Sequence, residues 1–272
     1  MSILANITAD LRDTFLTTRF EMLKLIRQRR ILIAVSIAIA LPLIFYVIPP
    51  LFGTDYSATA LGFASSNLNF ITLFIVISGA IFAGDAVSGE FERKTGLLLF
   101  PTPQRPTSIY IGKYLAVILT MFSVVTLYYL MIVWEMVTIY GFSDFSGEFG
   151  KSYLVALLYS TSVIGVIFFF SSIMKRTITS SLVGFFFLMM ILPIITSVLK
   201  TVSVDPWFIV TNGADLITNV LGQSAGGFGP GREIGTASTI TPDFYVGVLV
   251  MFGYALGLLW ASLIFANRRK ME

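Results

Sequence analysis

The chain has 272 residues, 56% of them hydrophobic and only 12% charged, whereas a soluble domain carries about a quarter charged residues, so too little polar surface exists to coat a water-facing globule. It contains no Cys and no His, which excludes disulfides, thiolate or imidazole metal sites and any Ser-His or Cys-His catalytic pair. The net charge of +3 matters less than where Lys and Arg lie, because their distribution orients a chain in a membrane.

In chain order, residues 1–30 read as an amphipathic helix. Ile3 or Leu4, Ile7, Leu11, Phe15, Met22 and Ile26 recur at helical spacing, with Asp10, Arg12, Asp13 and Arg19 on other faces. Such a helix, ended by Arg27, Arg29 and Arg30, is expected to lie in the cytoplasmic interface beside lipid headgroups; a solvated leader is the alternative. No cleavable signal peptide is expected, since the first apolar run begins only at Ile31.

Six apolar runs follow: Ile31–Phe52, Leu68–Gly84, Tyr114–Trp134, Tyr153–Met174, Ser180–Leu199 and Phe244–Ala266. At about 1.5 Å per residue most can cross a hydrocarbon core of about 30 Å, and the short second run is expected to continue past Gly84. Backbone groups in lipid must be satisfied within the segment, and barrel strands would read as shorter alternating stretches, so the runs are predicted to be helices. The fold class is therefore an all-α membrane protein, a single transmembrane domain over 1–272. Of the 18 Lys and Arg, only Lys151, Lys200 and Arg232 fall on one side of this layout. The positive-inside rule then places both termini, the 85–113 segment and the 175–179 turn in the cytoplasm.

Residues 200–243 form the long segment on the opposite side, an extracytoplasmic loop or re-entrant segment. Asp205-Pro206 reads as a helix start with Pro at the first helical position, followed by Trp207, Phe208, Ile209, Leu216, Ile217, Val220 and Leu221. Gly226–Gly231 is predicted to be a flexible tip.

Motifs for chemistry are missing. No phosphate-binding G-x-x-x-x-G-K-[ST] occurs, nor G-x-S-x-G or H-E-x-x-H, so the chain has no recognisable hydrolytic machinery. Within the spans only Glu135 is ionisable; it marks either a coupling path or a side chain reaching the outer interface. Gly253, Gly257 and Ala261 form a small-residue face on the last helix, a candidate for helix packing or dimer contact, and Gly79, Ala83, Ala80 and Gly84 offer the same on the second. Ser160, Ser162, Thr196 and Ser197 are candidate pathway hydroxyls, unless they bond to their own backbone carbonyls. Pro193 is expected to kink the fifth helix.

Residues 85–113 carry the densest mixed charge: Asp85, Glu90 and Glu92, then Arg93 and Lys94, then Leu97–Leu99 and the breakers Pro101, Pro103 and Pro106. A short amphipathic helix stopped by prolines suits the docking of a cytosolic partner, its charges setting register while Phe91 and the leucines fill a groove. A solvated loop is the alternative.

The segment resembles the loop between helices two and three of ABC type-2 transporter permeases. Their pattern is an acidic residue ending helix two, then S-G-E-x-E-x-G-T, leucines, a Pro, a basic residue, and G-K opening helix three. Asp85, Ser88-Gly89-Glu90, Glu92, Thr95, Leu97–Leu99, Pro103, Arg105 and Gly112-Lys113 match; Lys94 stands where that family commonly has Gly, and Gly96 follows the Thr instead. The resemblance implies a permease subunit of an ATP-binding-cassette transporter, of export type, in a prokaryotic plasma membrane. Its partners would be separate ATPase subunits and a second permease copy or paralogue, with lipids around them and no nucleic acid. This chain would hold no cofactor, ATP and Mg being bound by the partner, and would not itself be an enzyme. Glu90, Glu92, Arg93, Thr95, Pro103 and Arg105 would form the ATPase-coupling segment. A gradient-driven carrier or channel, or a membrane maturation or scaffold factor, are the competing readings.

Overall fold

The computed structural model describes residues 2–92, 105–141, 147–202, 204, 206–222 and 243–268. Every regular element among them is helical. They are α1 (Ser2–Arg27), α2 (Arg29–Phe52), α3 (Ala60–Leu68), α4 (Ile71–Ala83), α5 (Ser88–Glu92), α6 (Pro106–Tyr140), α7 (Gly147–Ile173), α8 (Thr177–Phe186), α9 (Leu192–Thr201), α10 (Asn212–Asn219) and α11 (Phe244–Arg268). Six stretches are long and apolar enough to cross a membrane: Arg29–Phe52, Ala60–Glu92, Pro106–Tyr140, Gly147–Ile173, Thr177–Leu199 and Phe244–Ala266. They contain the six predicted runs almost entirely, but the second and third begin eight residues earlier, at Ala60 and Pro106. Hydropathy stops short there because these ends carry Ser65, Asn67, Ser108 and Lys113, polar side chains that the fold buries.

The second, third and fourth spans form the core, whereas the first, fifth and sixth leave most of their surface outside the chain. Small residues allow the close contacts. A Cβ on Gly79 would lie 3.0 Å from Val163, where α4 crosses α7. One on Gly165 would lie 3.2 Å from the Tyr254 carbonyl, where α7 meets α11. The last helix is thus approached through Gly165 and Ala255, while Gly253 and Gly257 have open space beside them and Ala261 is half-buried.

Breaks in the helices are satisfied locally. Between α3 and α4 the backbone turns at Asn69–Phe70, and the Tyr128 hydroxyl donates to the Asn67 carbonyl at 2.8 Å. The Tyr128 ring stacks on Phe74 with centroids 5.2 Å apart. In the fifth span Pro193 lacks an N–H, and the chain widens into a π turn over Phe187–Ile191 just before it.

The outer segment differs from expectation in where its helix starts. Pro206–Thr211 is a series of turns, and the helix opens at Asn212, whose side chain donates to the Pro206 carbonyl at 2.6 Å. The Asn212 side chain thus ties the start of the helix back to the turn at Pro206. The resulting α10 is tucked against α7 through Ser152, which donates to the Ile217 carbonyl at 2.6 Å. A Cβ on Gly247 of α11 would sit 2.4 Å from Leu216, so α11 also closes onto it. Gly226–Gly231 lies outside the described residues.

Glu135 does not reach the surface of the fold. It is fully buried, and among the described residues neither carboxyl oxygen has a hydrogen-bond partner. Burying an unpaired ionisable group opposes folding, and an apolar side chain of similar length removes that penalty. Glu135→Met is therefore expected to raise the thermal unfolding midpoint of the purified protein by a few degrees, and an unchanged or lower midpoint would contradict the burial.

Candidate functional site

The residues of the 85–92 motif meet the rest of the chain at the end where its basic clusters gather. After α4 ends at Ala83, four residues turn before α5. Ser88 donates back to the Gly84 carbonyl at 2.6 Å. The turn is pinned from α7 by one hydroxyl: Ser171 Oγ accepts from the N–H groups of Val87 and Ser88, both at 3.1 Å, and donates to the Gly84 carbonyl at 3.0 Å. Backbone groups left free by the end of a buried helix thus find partners.

Gly89 has a steric reason. A Cβ there would lie 2.2 Å from Asp85 Oδ1, so only glycine lets that carboxylate fold across the start of α5. Asp85 then accepts from Thr177 Oγ1 at 3.0 Å and pairs with Arg30 at 3.1 Å. Glu92 accepts from the Thr177 N–H at 2.7 Å, capping α8, where the positive end of the helix dipole favours an anion.

Lys113 lies at the centre of this joint. Its ammonium, 2% exposed, donates to Glu21 Oε1 of α1 and to Glu90 Oε1 of α5, each at 2.6 Å. Lys24 answers the other Glu21 oxygen at 3.0 Å. The neighbouring Gly112 makes the geometry possible, because a Cβ there would come within 2.7 Å of Thr17 and 3.0 Å of the Thr14 carbonyl. Thr14, Thr17 and Thr18 turn their hydroxyls back to carbonyls one turn earlier, so this face of α1 meets α6 with its polar groups satisfied. Burial raises the Glu21 carboxyl, but Lys113 and then Lys24 outweigh it and hold the group below the ordinary carboxylate value.

The predicted site residues therefore divide. Glu90 and Glu92 are brought together but grip their own chain. Arg105 forms a more exposed pair with Asp10 at 2.7 Å, a contact worth little in water. Arg93, Thr95 and Pro103 lie outside the described residues. Of the pathway candidates, Ser160 bonds to the Leu157 carbonyl and Thr196 to the Leu192 carbonyl, at 2.7 and 2.9 Å. Ser162 reaches the Met251 carbonyl at 2.7 Å and so joins α7 to α11, while Ser197 is exposed. Among the described residues no group of three or more His, Cys, Asp or Glu could hold a metal.

Sequence reasoning missed Glu21, Arg30, Ser171 and Thr177. A signal existed only for Glu21, an acid on a helix whose other stripe is apolar. The arrangement is mechanical in character: α5 is bonded to α6 through Glu90, to α7 through Ser171 and, by its last residue, to α8, while Lys113 carries the link on to Glu21 of α1.

The two buried partners of Lys113 predict an asymmetric mutational pattern. Lys113→Met leaves Glu90 without this cation and Glu21 with Lys24 alone, and is expected to cost about 3–5 kcal/mol, more than Glu21→Gln, which leaves Glu90 in place. Unfolding midpoints of both variants and of the double mutant check this through their coupling. Because the Glu21 carboxyl is lowered, its contribution is fully present above the ordinary carboxylate value and is lost as pH falls through the lowered one. The stability gap between wild type and Glu21→Gln is therefore expected to narrow as pH falls below the ordinary carboxylate value, as read by thermal unfolding across pH.

The model of the family described as ABC-2 family transporter protein matches residues 48–265. This is well over half of the chain, which therefore belongs to the ABC-2 family of transporter proteins and is a permease component of an ATP-binding-cassette transporter, working with an ATPase subunit. No curated protein matches the chain.

Proposed function

We propose, starting from that membership, that the chain forms half of an export pathway in a prokaryotic plasma membrane, paired with a second copy or paralogue and driven by ATPase subunits beneath it. Both termini and the 85–113 segment face the cytoplasm in this reading, as the charge asymmetry favours. α1 lies in the interface: Leu11, Phe15, Phe20, Leu23 and Ile26 are exposed, while its Thr17 and Glu21 side meets α6. The weakly buried first, fifth and sixth spans offer the surface for the second permease and for lipid.

The observation that carries the mechanism is the Lys113 joint. ATP and Mg bind in the partner, and closure of the ATPases displaces residues 85–113. Displacement of α5 passes through Glu90 to Lys113 and α6, through Lys113 to Glu21 and α1, and through Glu92 to the start of α8. Elements linked in this way move together, and the permease halves rock between access states. Glu90 and Glu92 thus couple as much by holding the segment to the bundle as by facing the ATPase.

The test uses the permease co-purified with its ATPase subunit. Charge reversal of Glu90 and Glu92 to Lys is expected to weaken co-purification or abolish the effect of the permease on ATP hydrolysis. Lys113→Met is expected to leave the complex assembled and reduce that effect about tenfold or more. Normal assembly and normal stimulation in both variants would sink the coupling role.

A further inference from the structure

We propose that Ser171 of α7 is a positioning residue for coupling to ATP hydrolysis: its hydroxyl hands the displacement of the turn at residues 84–88 to the fourth span. The inference rests on the coupling reading above and adds to it a path that does not run through charge.

A hydroxyl has one proton to donate and two lone pairs with which to accept. Ser171 uses all three on the turn between α4 and α5. It accepts from the Val87 and Ser88 N–H groups and donates to the Gly84 carbonyl. A buried serine in a helix commonly returns its proton to a carbonyl about one turn earlier, as Ser262 does to Leu259 in α11. Ser171 instead bonds away from its own helix.

The surroundings make these bonds necessary. Ser171, Val87 and Ser88 are all 0% exposed, so the two N–H groups have no solvent to turn to. The Gly84 carbonyl has a second donor in the Ser88 hydroxyl. Among the described residues, the N–H groups of Val87 and Ser88 have Ser171 alone. An ion pair weakens gradually as its partners slide, whereas a hydroxyl bonded to three backbone groups is lost after a shift of about an ångström. Ser171 therefore fixes position where Glu90 and Glu92 supply attraction.

The helix that receives the displacement is well placed to pass it on. Val163 of α7 faces Gly79 of α4, and Gly165 faces the Tyr254 carbonyl of α11. Ser162 donates to the Met251 carbonyl at 2.7 Å. A push at Ser171 is thus carried along one continuous helix to the last span, to which Lys113 makes no bond.

The test uses the permease co-purified with its ATPase subunit and compares Ser171→Ala and Ser262→Ala with wild type. In Ser171→Ala, hydrogen exchange at Val87 and Ser88, read by mass spectrometry, is expected to quicken about tenfold. Permease-dependent stimulation of ATP hydrolysis is expected to fall at least about threefold in kcat, with KM for ATP and co-purification unchanged. Ser262→Ala removes a buried hydroxyl bonded within its own helix and is expected to alter neither readout. Unchanged exchange in Ser171→Ala would show that the hydroxyl does not hold the turn and would overturn the proposal. Faster exchange with full stimulation would overturn it too, while leaving the coupling role of Glu90 and Glu92 standing. An equal loss of stimulation in Ser262→Ala would reduce the effect to weakened packing and count against Ser171 in the same way. Full stimulation in the charge-reversal variant of Glu90 and Glu92 would instead strike the coupling reading on which the inference rests, and the inference with it.

Discussion

A single buried ammonium holds the basic end of this molecule together. Lys113 can lie 2% exposed only because Glu21 and Glu90 reach it from two different helices. The pairing is not a large source of stability by itself, since desolvating three charged groups consumes most of what their attraction returns. Its strength lies in specificity. With Lys113 and Gly112 side by side, α1 has one register on α6 in which its charge is answered and its backbone fits, and a shift of one turn would take Glu21 away from Lys113.

The remaining architecture divides around that joint. Three well-packed spans form a block whose polar interruptions are answered from inside, by Tyr128 at the break in the second span and by Ser171 at its end. Three loosely packed spans surround the block. The first is linked to the joint by Arg30 and the fifth by Thr177, and toward its other end the first meets the core through Phe45 on Phe70 and Tyr46 on Trp134. The opposite end is held by α10, wedged between α7 and α11. Rigid-body movement of such helices is easiest where apolar surfaces slide, and most constrained where charge-assisted bonds would have to break.

Much of the fold was legible because hydropathy is a local property: each run carries its own evidence of being a span. The early starts at Ala60 and Pro106 were not, because the polar residues there are excused by partners elsewhere in the chain. The same reason hid most of the site. Glu90, Glu92 and Lys113 stood out by their motif, yet their partners are set by tertiary contacts, with Glu21 and Lys113 being 92 residues apart. Within the single chain Gly253 and Gly257, which have the spacing of a packing face, lie open, whereas the isolated Gly165 makes the close approach to the last helix. Pro206 has the residue type for a helix start, but the helix opens only at Asn212, whose side chain ties it back to the Pro206 carbonyl. Glu135 looked able to reach the surface by its place near the end of a span, and the crossing of helices around it encloses it instead.

The joint also has an order of assembly. Glu21 and Glu90 leave the ribosome before Lys113 does, so the N-terminal helix and α5 must wait near the bilayer surface, without their common counter-charge, until the third span emerges. With this end on the cytoplasmic side, as proposed, Lys113 would arrive as a free cation at the start of that span, where positive charge resists translocation. Desolvation of the ammonium requires both carboxylates to close on it. One side chain thus clasps three helices, and α1 can complete its docking only once the third span has emerged, although it precedes that span in the chain.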